Sequence, residues 1–226
     1  MAATRQTIIP MTTLLLATRN VHKVGEIRAL LGEQFSYRTL ADFPDAPEVT
    51  ESADTFAGNA TKKAVELAEW LALPNSKFKT QNSKLFVLAD DSGLEVDALN
   101  GAPGVHSARF AALDTGAPGN SKDADNNAKL LRLLKNIPPE KLTARFRCVL
   151  ALVELNSKLN TQNSKLFFGV CEGRINLTPH GAGGFGYDPL FIPDGFTQSF
   201  AALGEDVKNK LSHRAQALAT LRAHFA

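Results

Sequence analysis

Cysteine is scarce in this sequence, and what there is excludes the simplest staples. Cys148 and Cys171 stand alone among 226 residues, with neither zinc-ligand spacing nor a disulfide framework. Both fall in apolar, strand-like runs, which points to buried free thiols of a reducing, cytoplasmic compartment. Excess charge is also absent. A formal net charge of +2 excludes the basic coat of a nucleic-acid binder and the cationic face of a membrane-surface protein, so any basic site must be local. No apolar run reaches the length of a membrane span, and Met1–Pro10 lacks the make-up of a signal peptide. The glycosylation-type matches at Asn59 and Asn176 are then coincidental. There is no G-x-x-x-x-G-K-[ST] phosphate loop. What remains, 44% hydrophobic and 21% charged, is ordinary globular composition, and the chain is long enough to bury a core unaided.

Patterned sequence begins at Met11, after an expected disordered leader over 1–10. Thr12–Thr18 reads as a short buried strand. Asn20–Leu31 follows as a helix with Val24, Ile27 and Leu31 inward and Gly32 as its stop. Thr55–Leu73 is the longest helical stretch, its inward stripe made by Phe56, Ala60, Ala64, Leu67 and Leu71 and its end by Pro74. Leu85–Asp90 and Leu94–Leu99 read as strands joined by a tight turn at Asp91-Ser92-Gly93. Ser121–Ile137 is a helix, Ala144–Leu155 and Leu166–Ile175 a hairpin, and Ser212 the N-cap of a last helix carrying Ala215, Leu218, Leu221 and Phe225 inward. This order predicts an α/β mixture with antiparallel pairs rather than a run of βαβ units. Asn75–Phe86 is nearly repeated as Asn156–Phe167. Both are polar and lead into strands, so they read as loop insertions near 75–84 and 156–165; a repeated binding element is the other reading.

The residues suited to chemistry are scattered. Thr18-Arg19-Asn20-Val21-His22-Lys23 lies between a strand and a helix, where unpaired N–H groups favour an anion. Lys23 opposes the helix dipole there, which a bound phosphate would explain; a surface lysine beside an ordinary Asn20 cap is the alternative. Asp90 and Asp91 at a strand end suit a hard cation, or else a plain hairpin turn. Glu48 and Glu51 could add oxygen ligands, or equally be plain acidic residues before the N-terminus of the long helix. Lys63 falls on the apolar stripe of its helix, where it must be paired, reach an anion or snorkel.

Gly181–Gly186 matches G-x-G-x-x-G, but no strand precedes it and Tyr187-Asp188-Pro189 blocks the helix a dinucleotide fold requires. These glycines would instead let backbone approach a flat ligand, with Phe185 or Tyr187 as a stacking ring. Lys208, Lys210, His213 and Arg214 crowd the start of the last helix, where mutual repulsion asks for an anionic or electron-rich partner. A solvated charged surface is the alternative.

In this combination the sequence resembles the inosine triphosphate pyrophosphatase family from about Thr13 to Phe225. The resemblance rests on LLLATRNVHKVGEI, ESADTFAGNATKKA, LADDSGLEVDALNGAPGVHSARF, GGFGYDPLFIPDGF and DVKNKLSHRAQAL, in that order. It implies an α/β fold for 11–226: an elongated mixed β-sheet flanked by helices, with two lobes around a central nucleotide-binding cleft, in a homodimer. It further implies Mg²⁺ and hydrolysis of non-canonical purine triphosphates (ITP, dITP, XTP) to monophosphate and pyrophosphate, with no nucleic-acid or membrane partner. By the same resemblance, Thr18, Arg19, Asn20, Val21, His22 and Lys23 form the triphosphate loop, Arg19 pointing away from the phosphates. Glu51 and Asp91 are the metal carboxylates, and Asp91 also accepts the proton of the attacking water. Ser92 and Lys63 touch substrate. Phe185, Gly186, Tyr187 and Asp188 form the base segment with Phe185 as the ring, while Lys208, His213 and Arg214 hold phosphate and base.

Gly58 stands where the family often has Glu, and the polar insertions are foreign to its pattern. A septum-inhibitor-type pyrophosphatase acting on pyrimidine or modified nucleotides is the nearest rival; the full SHR and FGYDP stretches oppose it. A catalytically silent nucleotide sensor and an interaction module built on the repeated segments are further readings.

Overall fold

The computed structural model describes residues 12–73, 84–155 and 164–226. The expectations for the leader and for most of the polar segments near 75–84 and 156–165 lie outside these residues. Strand β1 (Thr13–Leu16) is buried along its whole length and leads into helix α1 (Val21–Leu31). Asn20 caps that helix: its Oδ1 accepts from the N–H groups of His22 and Lys23 at 2.9 and 3.2 Å. Gly32, at φ +68°, ends it. Strand β2 (Ser36–Thr39) then runs parallel to β1.

Helix α2 (Phe56–Ala72) starts at a Thr55 cap and buries the expected stripe of Phe56, Ala60, Ala64, Leu67 and Leu71. Strand β3 (Leu85–Val96) is followed by helix α3 (Asp123–Leu134), which is shorter at both ends than its pattern predicts. Strands β4 (Thr143–Leu155) and β5 (Lys165–Ile175) form the expected antiparallel hairpin. Strand β6 (Phe191–Pro193) and the short helices α4 (Phe200–Leu203) and α5 (Glu205–Leu211) precede helix α6 (His213–His224), capped by Ser212 as expected.

The strands make one six-stranded mixed sheet in the order β2-β1-β3-β4-β5-β6. β1 is parallel to β2 and β3, and the remaining pairs are antiparallel. One expectation fails here. Asp91-Ser92-Gly93 is not a hairpin turn: β3 runs straight through it, with Asp91 opposite Val149 and Gly93 opposite Arg147 on β4. Gly93 serves close approach instead. A Cβ there would lie 2.4 Å from Ser107 Oγ and 2.5 Å from the Gly104 carbonyl.

Alternate β3 residues face opposite layers, as the pleat requires. Leu85, Val87 and Ala89 join the α2 core, whereas Phe86 and Leu88 join the core under α1 and α6. A third core lies at the far half of the sheet, where α3 and α4 pack on Leu94, Phe146 and Phe191. Each fully buried Leu or Phe stabilises by about 1.5–3 kcal/mol.

Candidate active site

Because β3 is continuous, its adjacent carboxylates diverge. Asp90 follows the even-numbered residues toward α1 and α6, and Asp91 follows the odd-numbered ones toward α2. Asp90 is 2% exposed and surrounded by donors. Lys23 Nζ lies 2.5 Å from Oδ1, Arg214 Nε 2.8 Å from Oδ2, and Ser92 Oγ 2.9 Å from Oδ1. Cys148 Sγ donates to Oδ2 at 3.4 Å. Burial opposes the charge on Asp90, yet Arg214 and Lys23 hold its carboxyl well below the usual range.

Asp91 meets Lys63 on the other face. The Lys63 ammonium reaches Asp91 Oδ1 at 3.3 Å, Glu51 Oε1 at 2.7 Å and the Asp90 carbonyl at 2.8 Å. The lysine on an apolar stripe is therefore paired, not snorkelling. One cation touches both expected metal carboxylates, so they converge on a common point. Asp91 Oδ2 is buried with no hydrogen-bond partner among the described residues, and burial raises the carboxyl pKa although Lys63 and Lys23 pull it down. Arg109 steadies Glu51 from the third side, donating to Oε2 at 3.1 Å and to its carbonyl at 3.3 Å. No group of three or more His, Cys, Asp and Glu suited to a metal occurs among the described residues.

A cavity of about 540 Å³ opens over these groups, lined by Thr18–Lys23, Glu48, Glu51, Lys63, Asp90–Ser92 and Phe185 among others. Thr18 and Asn20 shape its rim through their own turn, Thr18 Oγ1 accepting from Asn20 N–H at 3.1 Å. The Arg19 guanidinium turns to the Ala46 carbonyl at 3.4 Å. Val21 is 74% exposed. A smaller chamber of about 110 Å³ adjoins, lined by Phe146, Phe185, Lys208, His213 and Arg214 among others. Phe185 borders both.

The loop behind Phe185 is tied on every side. Gly186 N–H donates to Asp123 Oδ2 at 2.6 Å, and its carbonyl accepts from Asn127 Nδ2 at 3.0 Å. Asp188 is buried; it accepts from Phe185 N–H at 2.9 Å and pairs with Lys208 at 2.6 Å. Tyr187 is buried too and gives its hydroxyl proton to the Ser107 carbonyl at 2.9 Å. Tyr187 and Asp188 thus build the loop, leaving Phe185 as its ring toward the cleft.

Arg214, 1% exposed, spends its donors within the protein: on Asp90, on Ser92 Oγ at 2.7 Å, and on Glu26. Lys208 completes this network against Glu26 at 2.8 Å and Asp188. Lys210 stays exposed outside it. His213 stacks on Phe146, with centroids 4.8 Å apart. Burial, with Arg214 and Lys208 beside it, pushes its pKa well down from the usual histidine value. Its buried Nδ1 has no hydrogen-bond partner among the described residues.

Glu26, Arg109 and Asp123 were not singled out as site residues from sequence, and Asp90, expected beside Asp91 as a cation ligand, instead has its carboxylate taken up by Lys23, Arg214 and Ser92. Glu26 had a signal, since it stands three residues after Lys23 on the same helix face. Arg109 lay inside the HSARF stretch without a role.

The Ham1 family model matches residues 14–224. A protein of Desulforamulus reducens named dITP/XTP pyrophosphatase is 47% identical over 206 residues, 91% of each chain. One of the same name from Geobacter sulfurreducens is 46% identical over 216 residues, 95% of this chain and 97% of its own. Among solved structures, a HAM1 protein from Coxiella burnetii superposes with a TM-score of 0.77 at 34% identity, covering 95% of this chain and 98% of its own.

Proposed function

The chain belongs to the Ham1 family, and on that premise we propose that it hydrolyses non-canonical purine nucleoside triphosphates (ITP, dITP and XTP) to monophosphate and pyrophosphate. The observation that carries this reading is the convergence of Glu51 and Asp91 on one cationic point in a cleft that Lys23 also lines. Mg²⁺ is the cofactor the family resemblance implies, and the residues suit it. The orphaned Asp91 Oδ2 is an unused oxygen ligand. A pair of protein carboxylates is also the usual provision for Mg²⁺, with phosphate and water supplying the rest. Glu51 and Asp91 would hold it; when bound, such an ion neutralises phosphate oxygens and acidifies a water.

The chain's own groups account for the remainder. Asp91, its proton affinity raised by burial, accepts the proton of the attacking water. Lys23 and Lys63 offer positive charge to the triphosphate. Phe185 stacks on the base, under the charge of Lys208 4.5 Å from its centroid. Arg214 is committed to carboxylates, so it positions the α6 start rather than reading the base with its side chain. The first N–H groups of α6, which have no intrahelical acceptor, and His213 are then the groups to face a 6-keto oxygen. Adenine would leave such donors unpaired, at about 1–3 kcal/mol each.

A homodimer and a cytoplasmic setting belong to the same proposal; the buried thiols of Cys148 and Cys171 are consistent with the latter. Among the described residues no helix is long and apolar enough to cross a membrane. Pyrophosphate release from ITP, XTP, GTP, ATP and dUTP at matched concentration tests the reading. ITP and XTP should lead, and EDTA should stop the reaction. Preference for dUTP would favour the pyrimidine-type rival, and no release from any would favour the sensor.

A further inference from the structure

His22 is the side chain laid on the ring assigned to the base. Its imidazole is nearly parallel to Phe185, with centroids 5.2 Å apart and 11° between planes. A purine stacked on that ring would adopt the same geometry. The separation leaves no slot for a third ring, because a base inserted between them needs about 3.5–4.0 Å of carbon contact distance on each side. Either the base goes elsewhere or His22 leaves.

The surroundings favour departure. The His22 backbone is fixed, since its N–H is part of the Asn20 cap at 2.9 Å. Its side chain is exposed, and among the described residues no hydrogen bond or ion pair holds the imidazole. The Phe185 backbone is likewise fixed, through Asp188, but its ring also lies under the Lys208 ammonium, 4.5 Å from the centroid. The imidazole can rotate away while the phenyl ring stays.

We propose that His22 stands in for the purine on Phe185 when no nucleotide is bound, and that the base enters by displacing it. His22 thereby sets an affinity threshold that every base must exceed by stacking better than an imidazole. This rests on the reading of Phe185 as the base-stacking ring. The alternative role, a direct nucleotide contact by His22, predicts the opposite sign.

Calorimetric titration of inosine monophosphate into the wild type, His22→Ala and Phe185→Ala separates the two, alongside proton NMR of the His22 ring. Removing the stand-in should tighten binding by about two- to tenfold, the range expected from an aromatic pair. In the wild type the imidazole protons should be shifted upfield by the Phe185 ring and return toward free positions at saturation. Equal or weaker binding by His22→Ala, or imidazole signals unmoved at saturation, overturns the proposal. Should Phe185→Ala weaken binding while His22→Ala fails to tighten it, displacement alone is wrong. If Phe185→Ala leaves affinity unchanged, the base site itself is misassigned.

Discussion

At the scale of single residues, charge pairing is what the sequence half disclosed. Lys63 was legible as a cation that needed a partner, because it sits on an apolar helical stripe; its partners, Glu51 and Asp91, had been named independently. Asp90 was not legible as the hub of the site, because a DSG stretch satisfies turn chemistry as well as strand chemistry and only pairing with β4 decides between them. Glu26 depends on a contact 188 residues distant along the chain, with Arg214. Burial raises the Glu26 pKa, but Arg214 and Lys208 outweigh it and hold the carboxyl below 4.5. A carboxyl lowered on folding stabilises fully above its unfolded value, and that contribution disappears as pH falls through the folded one. Glu26→Gln should therefore cost about 1.5–3 kcal/mol at pH 7. In urea melts the gap to wild type should close as pH falls below 4.5; a gap that persists or widens there would show that Glu26 does not act through its charge.

At the scale of elements, a cap or a solid apolar run made a piece readable: β1 shows through only 4 residues, whereas β3, with 12, reads as two strands because its DSG stretch mimics a turn. α1, α2 and α6 announce themselves by a cap and an apolar stripe, as do β4 and β5 by their apolar runs. β2 and β6 span 4 and 3 residues, too few to show a period, and they exist because a neighbouring strand offers hydrogen bonds. The seating of α6 was equally hidden. It rests on Gly169 of β5, where a Cβ would come within 1.9 Å of the His213 carbonyl oxygen and 2.7 Å of Ala217 N. Gly169→Ala must lift the start of α6, the piece that presents His213 and Arg214. Overpacking of this kind costs about 1–3 kcal/mol, and the KM for ITP should rise with it. A Gly169→Ala protein with unchanged melting and unchanged KM would mean that α6 does not need this close seat.

At the scale of the whole molecule, the cleft gathers residues from α1, the loop before α2, α2, β3, the Phe185 loop and α6, so a bound nucleotide should tie these elements together. Asp91→Asn isolates that effect: turnover of ITP should vanish while binding remains. At a nucleotide concentration of 100 Kd the stabilisation should be about 2.7 kcal/mol, read as a raised melting temperature. An active Asp91→Asn protein would remove this carboxylate from the chemistry, and an inactive one that ITP fails to stabilise would make its role structural. The mixed sheet was legible as a class; its strand order was not, since it depends on which strands meet rather than on their composition. The alternation along β3 also governs where the gene can change length. The sequence's extra polar stretches enter before Leu85 and after Leu155, which pair with each other at one end of the sheet, so they leave the facing of every β3 residue untouched. A single codon added between Leu88 and Asp90 would do the reverse, turning the Arg214 partner toward Lys63 and sending Asp91, the proposed proton acceptor, into the wrong layer.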